Sequence, residues 1–229
     1  MDIYITNATE LERYHDKIFP LLTRWRRRQA GEAMNAYARR GSVACSLLLH
    51  HVLNWTDDEG LTFTHGRKPV PARPPHFNMA YAKDYAVLAV DDEPVGVDIE
   101  PVSPFRETAI PMIYRSEEAE WLREAESELR FFTLWTRKES ITKADGRGHL
   151  LAPKTFTIFP LDEQPHDVRG EDWYTESVVW DGYVIAAASR HPIDCLNIIP
   201  LTVEELLPPE PENDNDGEWD GTEEFYYGD

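Results

Sequence analysis

The sequence predicts a mixed α/β protein, of the α+β kind, built from two similar halves about a pseudo-twofold axis. Two observations carry this. Short β-like runs interleave with helical periodicities along 229 residues, and part of the pattern recurs. Tyr85-Ala-Val-Leu-Ala-Val90 reads like Tyr183-Val-Ile-Ala-Ala-Ala188, and a proline follows each tyrosine by nine residues, at Pro94 and Pro192. At that offset of 98, the helix around Arg40 falls opposite the helix around Lys138. The expected organisation is an N-terminal half over 1–101, a C-terminal half over 102–207 and an acidic tail over 208–229.

Helical spacing covers residues 8–22 and 32–55, the second with an apolar stripe through Val43, Leu47, Leu48 and Val52. Between them Arg24, Arg27 and Arg28 would share one helix face. A strand is expected over 61–65, then a proline-rich loop over 68–75. Three β runs follow at 77–81, 85–90 and 95–100. Helices are expected over 116–124 and 129–143, the latter ended by Asp145-Gly146. Runs at 173–180 and 183–189 flank Asp181-Gly182, a strong hairpin signal.

With 41% hydrophobic residues the chain can bury a real core. Its start lacks the basic and apolar regions of a secretory signal, and no stretch approaches the ~20 apolar residues of a membrane span. Cys45 and Cys195, in apolar surroundings, are expected to be reduced core thiols, which favours the cytoplasm. A net charge of −19 argues against nucleic-acid binding. Residues 208–229 hold nine acids and no Lys or Arg, whereas Arg24 to Arg28 and Arg39-Arg40 are locally basic, as suits a small anionic ligand.

Asp98 and Glu100, two apart in a β run, point to one face while Val97 and Ile99 face the core. At the repeat offset they stand opposite Leu196 and Ile198. Two carboxylates where the other copy has apolar groups cost solvation and repel each other unless a cation is bound, and two oxygen ligands suit Mg²⁺. By itself Asp-x-Glu is common on surface strands. Trp135, Glu139 and Lys143 form one helical stripe, which offers a third oxygen ligand and a phosphate partner, or only a surface Glu–Lys pair beside a core tryptophan.

Together, Gly96-Val97-Asp98-Ile99-Glu100 and Trp135-Thr136-x-Lys138-Glu139-Ser140-x-x-Lys143 resemble the two-part signature of 4′-phosphopantetheinyl transferases of the surfactin-synthetase-activating type. The resemblance implies that family's pseudo-symmetric fold, with coenzyme A as substrate in the cleft between halves. It implies Mg²⁺, or Mn²⁺, on Asp98, Glu100 and Glu139, with Lys143 on phosphate and Lys138 holding the phosphate end or the helix. Arg24, Arg27 and Arg40 match the basic residues that hold the 3′-phosphate, so loss of Arg40 should weaken coenzyme A binding more than loss of Arg26. Lys68 and Pro69 match a loop at the adenine. The partner implied is an acyl or peptidyl carrier protein whose serine accepts the arm; Glu139, directly or through water, is the favoured base. The enzyme is expected to be a cytoplasmic monomer.

One departure stands out. Where the family has Phe-Asn-x-Ser-His-Ser, this chain has Phe77-Asn78-Met79-Ala80-Tyr81-Ala82, so Tyr81 brings a hydroxyl but no positive charge. Two other classes remain open: a catalytically weak relative that only binds carrier proteins or coenzyme A, and an unrelated Mg²⁺-dependent phosphohydrolase. The acidic tail, with Trp219, Phe225, Tyr226 and Tyr227, is expected to dock on the protein near the arginines and compete with a substrate.

Overall fold

The computed structural model describes residues 1–33, 35–64, 69–125 and 127–209. The tail beyond 209 and Lys68 lie outside the described residues. The first half runs β1 (Asp2–Asn7), α1 (His15–Ile18), α2 (Arg24–Glu32), α3 (Ala36–Leu53), β2 (Leu61–Phe63), β3 (Pro69–Pro71), β4 (His76–Ala82), β5 (Tyr85–Asp91) and β6 (Gly96–Pro101). Then come α4 (Ile110–Ile113), α5 (Ser116–Glu124), α6 (Glu128–Asp145), β7 (His166–Asp167), β8 (Asp172–Trp180), β9 (Tyr183–Ser189), β10 (Asn197–Pro200) and α7 (Val203–Leu206). Among the described residues no helix is long and apolar enough to cross a membrane.

Two four-stranded sheets, ordered β10-β1-β5-β4 and β6-β9-β8-β7, share a core of Ile3, Val87, Ala89, Val97, Ile99, Ile185 and Ala187. The repeat copies, β5 and β9, sit inside these sheets and are buried on both faces, which is why they read as unbroken apolar runs. Helix α3 covers the outer face of the first sheet with Ala44, Leu47 and Leu48, and α6 covers the second with Leu134 and Ile141. The sequence halves interlock by exchanging strands. β6 pairs antiparallel with β9 in the second sheet, while β10 returns to pair parallel with β1 in the first.

Local chemistry sets the boundaries. Thr23, Asn35 and Ser127 accept hydrogen bonds from backbone N–H groups at the starts of α2, α3 and α6. Gly146, with φ 78°, closes α6 in the left-handed conformation. Asp181 and Gly182, with φ of 47° and 77°, make the expected tight hairpin between β8 and β9.

Three expectations change. Residues 8–22 form 3₁₀ turns around the single-turn α1, which Pro20 keeps from continuing. Within 68–75, residues Pro69–Pro71 pair with β2 as a two-stranded ribbon, where a proline needs no second partner strand. Cys45 is buried, but Cys195 is exposed and is no core thiol.

Gly96 explains the first residue of the strand motif. A Cβ there would lie 1.9 Å from the Ser140 carbonyl oxygen and 2.5 Å from the Ala144 nitrogen, both backbone atoms of α6. Only glycine lets β6 and α6 approach this closely. Gly96→Ala should therefore destabilise the fold by roughly 1–3 kcal/mol, read from denaturant unfolding; an unchanged midpoint would remove the close-approach account.

His166 supplies a pH test. It is buried, and burial together with the nearby Arg137 charge pushes its pKa from 6.5 down to about 4. Between those values the unfolded chain binds a proton that the folded one refuses, so stability should fall as pH drops through the window, by at most about 1.4 kcal/mol per pH unit. His166→Gln should flatten that part of the stability–pH curve; parallel curves would contradict the assignment.

Candidate active site

The site lies where β4 and β6 run side by side and α6 packs on β6. Asn78 of β4 accepts a 2.9 Å hydrogen bond from the Val97 N–H of β6, tying the two sheets together. Alternation then turns Val97 and Ile99 into the shared core and presents Asp98 and Glu100 on the opposite face, where α6 packs. From α6, Lys143 donates a 2.6 Å hydrogen bond to Asp98 Oδ1. Asp98 is only 5% exposed, and its Oδ2 has no partner among the described residues.

The charges here are crowded. Burial pushes the Asp98 pKa up against the pull of Lys143. Burial and then Asp98 repulsion raise Glu100, opposed by a hydrogen bond from Trp135 and by Lys143. Glu139 is pushed up to about 7, first by burial, then by Asp98 and Glu100, with Lys143 opposing. Burial alone would lower the Lys143 ammonium, but the carboxylates, Asp98 foremost, outweigh it and hold it above its ordinary value. Three carboxylates share one field with a single ammonium, so the site carries excess negative charge.

That arrangement fits a hard divalent cation: the donors are all oxygen, one is a buried orphan, and the repulsion would fall on binding. The shell is not closed, however. Among the described residues no three His, Cys, Asp or Glu side chains converge as a metal-holding group, and the Lys143 ammonium stands on Asp98.

Two cavities open from the seam. One, of about 480 Å³, is lined by Asn78, Trp135, Glu139 and Lys143 on one side and by Leu151, Ala152 and Pro153 on the other. The second, of about 450 Å³, shares Asn78 and Lys143 and continues past Tyr81, Pro69 and Arg26. The ring of Tyr81 lies over Gly41 of α3, where a Cβ would sit 2.2 Å from it, and meets Tyr37 edge-on.

The basic residues fall differently from expectation. Arg26, not Arg40, reaches the cleft. It is buried, its Nη2 donates to Met79 Sδ at 3.2 Å, its Nε has no partner, and burial pushes its pKa down to about 10. Arg27 and Arg40 line another cavity on the opposite face of the α2–α3 pair, and Arg24 is exposed. Sequence reasoning missed Arg26 because spacing along α2 does not say which side meets the cleft.

Lys138 takes the second of its two expected places, at the helix and not at the phosphate end. It is fully buried, with Nζ donating to Glu118 Oε1 at 2.6 Å and to the Phe156 carbonyl at 2.7 Å, and it touches neither cavity. It fastens α6 to α5 beneath the site. Arg137 ties the same helix to β8 through Ser177 and Glu176.

The fold and site define the class: two interlocked α/β halves with a carboxylate–lysine cluster at their seam. Residues 94–188, which span β6 through β9, match the model of the 4′-phosphopantetheinyl transferase superfamily. The chain is 29% identical over 178 residues to the 4′-phosphopantetheinyl transferase psf-1 of Bacillus pumilus, covering 73% of this chain and 76% of that one. To the 4′-phosphopantetheinyl transferase Sfp of Bacillus subtilis (strain 168) it is 27% identical, over 68% and 73% respectively. To the 4′-phosphopantetheinyl transferase gsp of Aneurinibacillus migulanus it is 34% identical, over 57% and 59%.

The structural role of Lys138 is testable. Lys138→Met alone leaves Glu118 buried without its partner and should cost about 3–5 kcal/mol, whereas adding Glu118→Leu should recover most of that. Denaturant unfolding reads both. A single variant as stable as the parent would return Lys138 to the ligand.

Proposed function

We propose that the protein is a 4′-phosphopantetheinyl transferase that moves the phosphopantetheine arm of coenzyme A to a serine of an acyl or peptidyl carrier protein. The observation that carries this is the Asp98–Lys143 contact between β6 and α6, with Glu139 facing the adjoining cavity. The superfamily match and the relatives' printed activity support the same reading.

Coenzyme A would lie across the seam. Its nucleotide end suits the cavity that holds Arg26, Tyr81 and Pro69, and its pantetheine arm suits the wall of Leu151, Ala152 and Pro153. Lys143 lines both cavities, which supports a role for its ammonium at the pyrophosphate. Asp98, Glu100 and Glu139 would hold Mg²⁺, or Mn²⁺, which when bound neutralises the pyrophosphate and the charge that grows on the leaving group. The serine oxygen attacks the pantetheine-bearing phosphorus. The pyrophosphate bond breaks, 3′,5′-ADP leaves with the electron pair, and the serine proton passes to a carboxylate. Of the three, Glu139 lines the cavity, which supports it as the acceptor, directly or through water. With net charge −19, docking of an acidic carrier has to rely on a local surface rather than long-range attraction.

Incubation of an apo carrier protein with this protein, coenzyme A and Mg²⁺ should add one phosphopantetheine to the carrier's intact mass. No addition, or release of inorganic phosphate instead, would sink the reading. Asp98→Ala should lower transfer at least about 100-fold with the fold retained, because it removes a ligand and also relieves repulsion; near-normal turnover would remove Asp98 from the chemistry. Arg26→Ala should weaken coenzyme A binding about 10- to 150-fold, as expected for a charge-assisted phosphate contact of roughly 1.5–3 kcal/mol. Arg40→Ala should change it little, and the reverse order would restore the assignment by spacing.

A further inference from the structure

On the face of the α2–α3 pair turned away from the cleft lies a separate cavity of about 510 Å³. Its floor is apolar, with Leu11, Ile18, Leu22 and Val43. Its rim is cationic: Arg27, Arg39 and Arg40 stand around it, and α3 begins there at Ala36, so the positive end of the helix faces the same space. Among the described residues no carboxylate pairs with these three arginines. An apolar floor inside a cationic rim calls for an occupant that is aromatic or aliphatic and also acidic.

The chain carries such a segment. Residues 210–229 hold nine acids, no Lys or Arg, and the aromatics Trp219, Phe225, Tyr226 and Tyr227. The segment also starts in the right place. Helix α7, a few residues before it, inserts Val203 and Leu206 into the apolar cluster that contains Leu11, Ile18 and Leu22, and Tyr14 donates a hydrogen bond to Glu204. Twenty residues span at most about 70 Å when extended, so reach is no constraint.

We propose that segment 210–229 docks its aromatic side chains in this cavity while its acids meet the arginine rim. Such docking covers the arginine face and leaves the seam cavities open, since the two lie on opposite sides of α2 and α3. The expected competition with coenzyme A through the arginine cluster therefore does not follow. This inference is independent of the transferase reading.

The test uses the full chain carrying 5-fluorotryptophan and ¹⁹F NMR, with Trp219→Phe identifying the Trp219 resonance. That resonance should be displaced from its position in a synthetic peptide of residues 210–229. It should return to the peptide position in an Arg39→Glu/Arg40→Glu chain, and also in an Ala36→Phe chain, which crowds the cavity mouth. The other six tryptophans report whether each variant is folded. In the unmodified chain the displacement should shrink as salt rises from 0.1 to 1 M, where the Debye length drops from about 10 to 3 Å. A Trp219 resonance at the peptide position in the unmodified chain would overturn the proposal. So would a displacement that both folded variants preserve. A displacement that grows with protein concentration would assign the cavity to a second copy, and one that appears only with an acidic carrier protein would assign it to that partner; either overturns docking in cis.

Discussion

The site depends on one contact, the ion pair that Lys143 of α6 makes with Asp98 of β6. Removing both charges from water costs several kcal/mol per ion, and the attraction between them offsets this only in good geometry. Glu100 and Glu139 add repulsion that one ammonium does not cancel. Stability alone would favour apolar residues here. The rest of the structure holds the cluster in place despite that cost. Gly96 lets helix and strand approach, Asn78 bridges the sheets beside Asp98, and Lys138 with Glu118 fastens α6 from behind.

The exchange of β6 and β10 between the sheets gives this arrangement its rigidity. Each half of the chain completes the sheet of the other, so the seam is crossed by backbone ladders as well as by side chains. A ligand held across such a seam touches residues distant in sequence, from Arg26 to Pro153, on elements that share one core. The scaffold itself fixes where the carboxylates stand.

Much of this was legible in the residues. The alternation around Asp98 and Glu100, the stripe of Trp135, Glu139 and Lys143, the Asp181-Gly182 hairpin and the two buried repeat strands all follow from period and turn chemistry. What failed to show was orientation set by tertiary packing. Lys138 and Glu139 are adjacent in sequence, yet one turns into the helix-to-helix contact and the other into the cavity. Arg26 and Arg27 likewise divide between two faces of α2. Neither division can be read from spacing, because it depends on which neighbours the helix meets. Tyr81 was visible as a departure, but its seat on Gly41 was not, since that pairing joins a strand to a helix forty residues away.

The most direct test of the central claim is calorimetric binding of coenzyme A with and without Mg²⁺, for the parent chain and Asp98→Ala. If the carboxylates around Lys143 form a cation site completed by the substrate pyrophosphate, Mg²⁺ will tighten binding to the parent by about tenfold or more, about 1.4 kcal/mol, and leave the variant unchanged. An equal effect of Mg²⁺ on both proteins, or none on the parent, would contradict it.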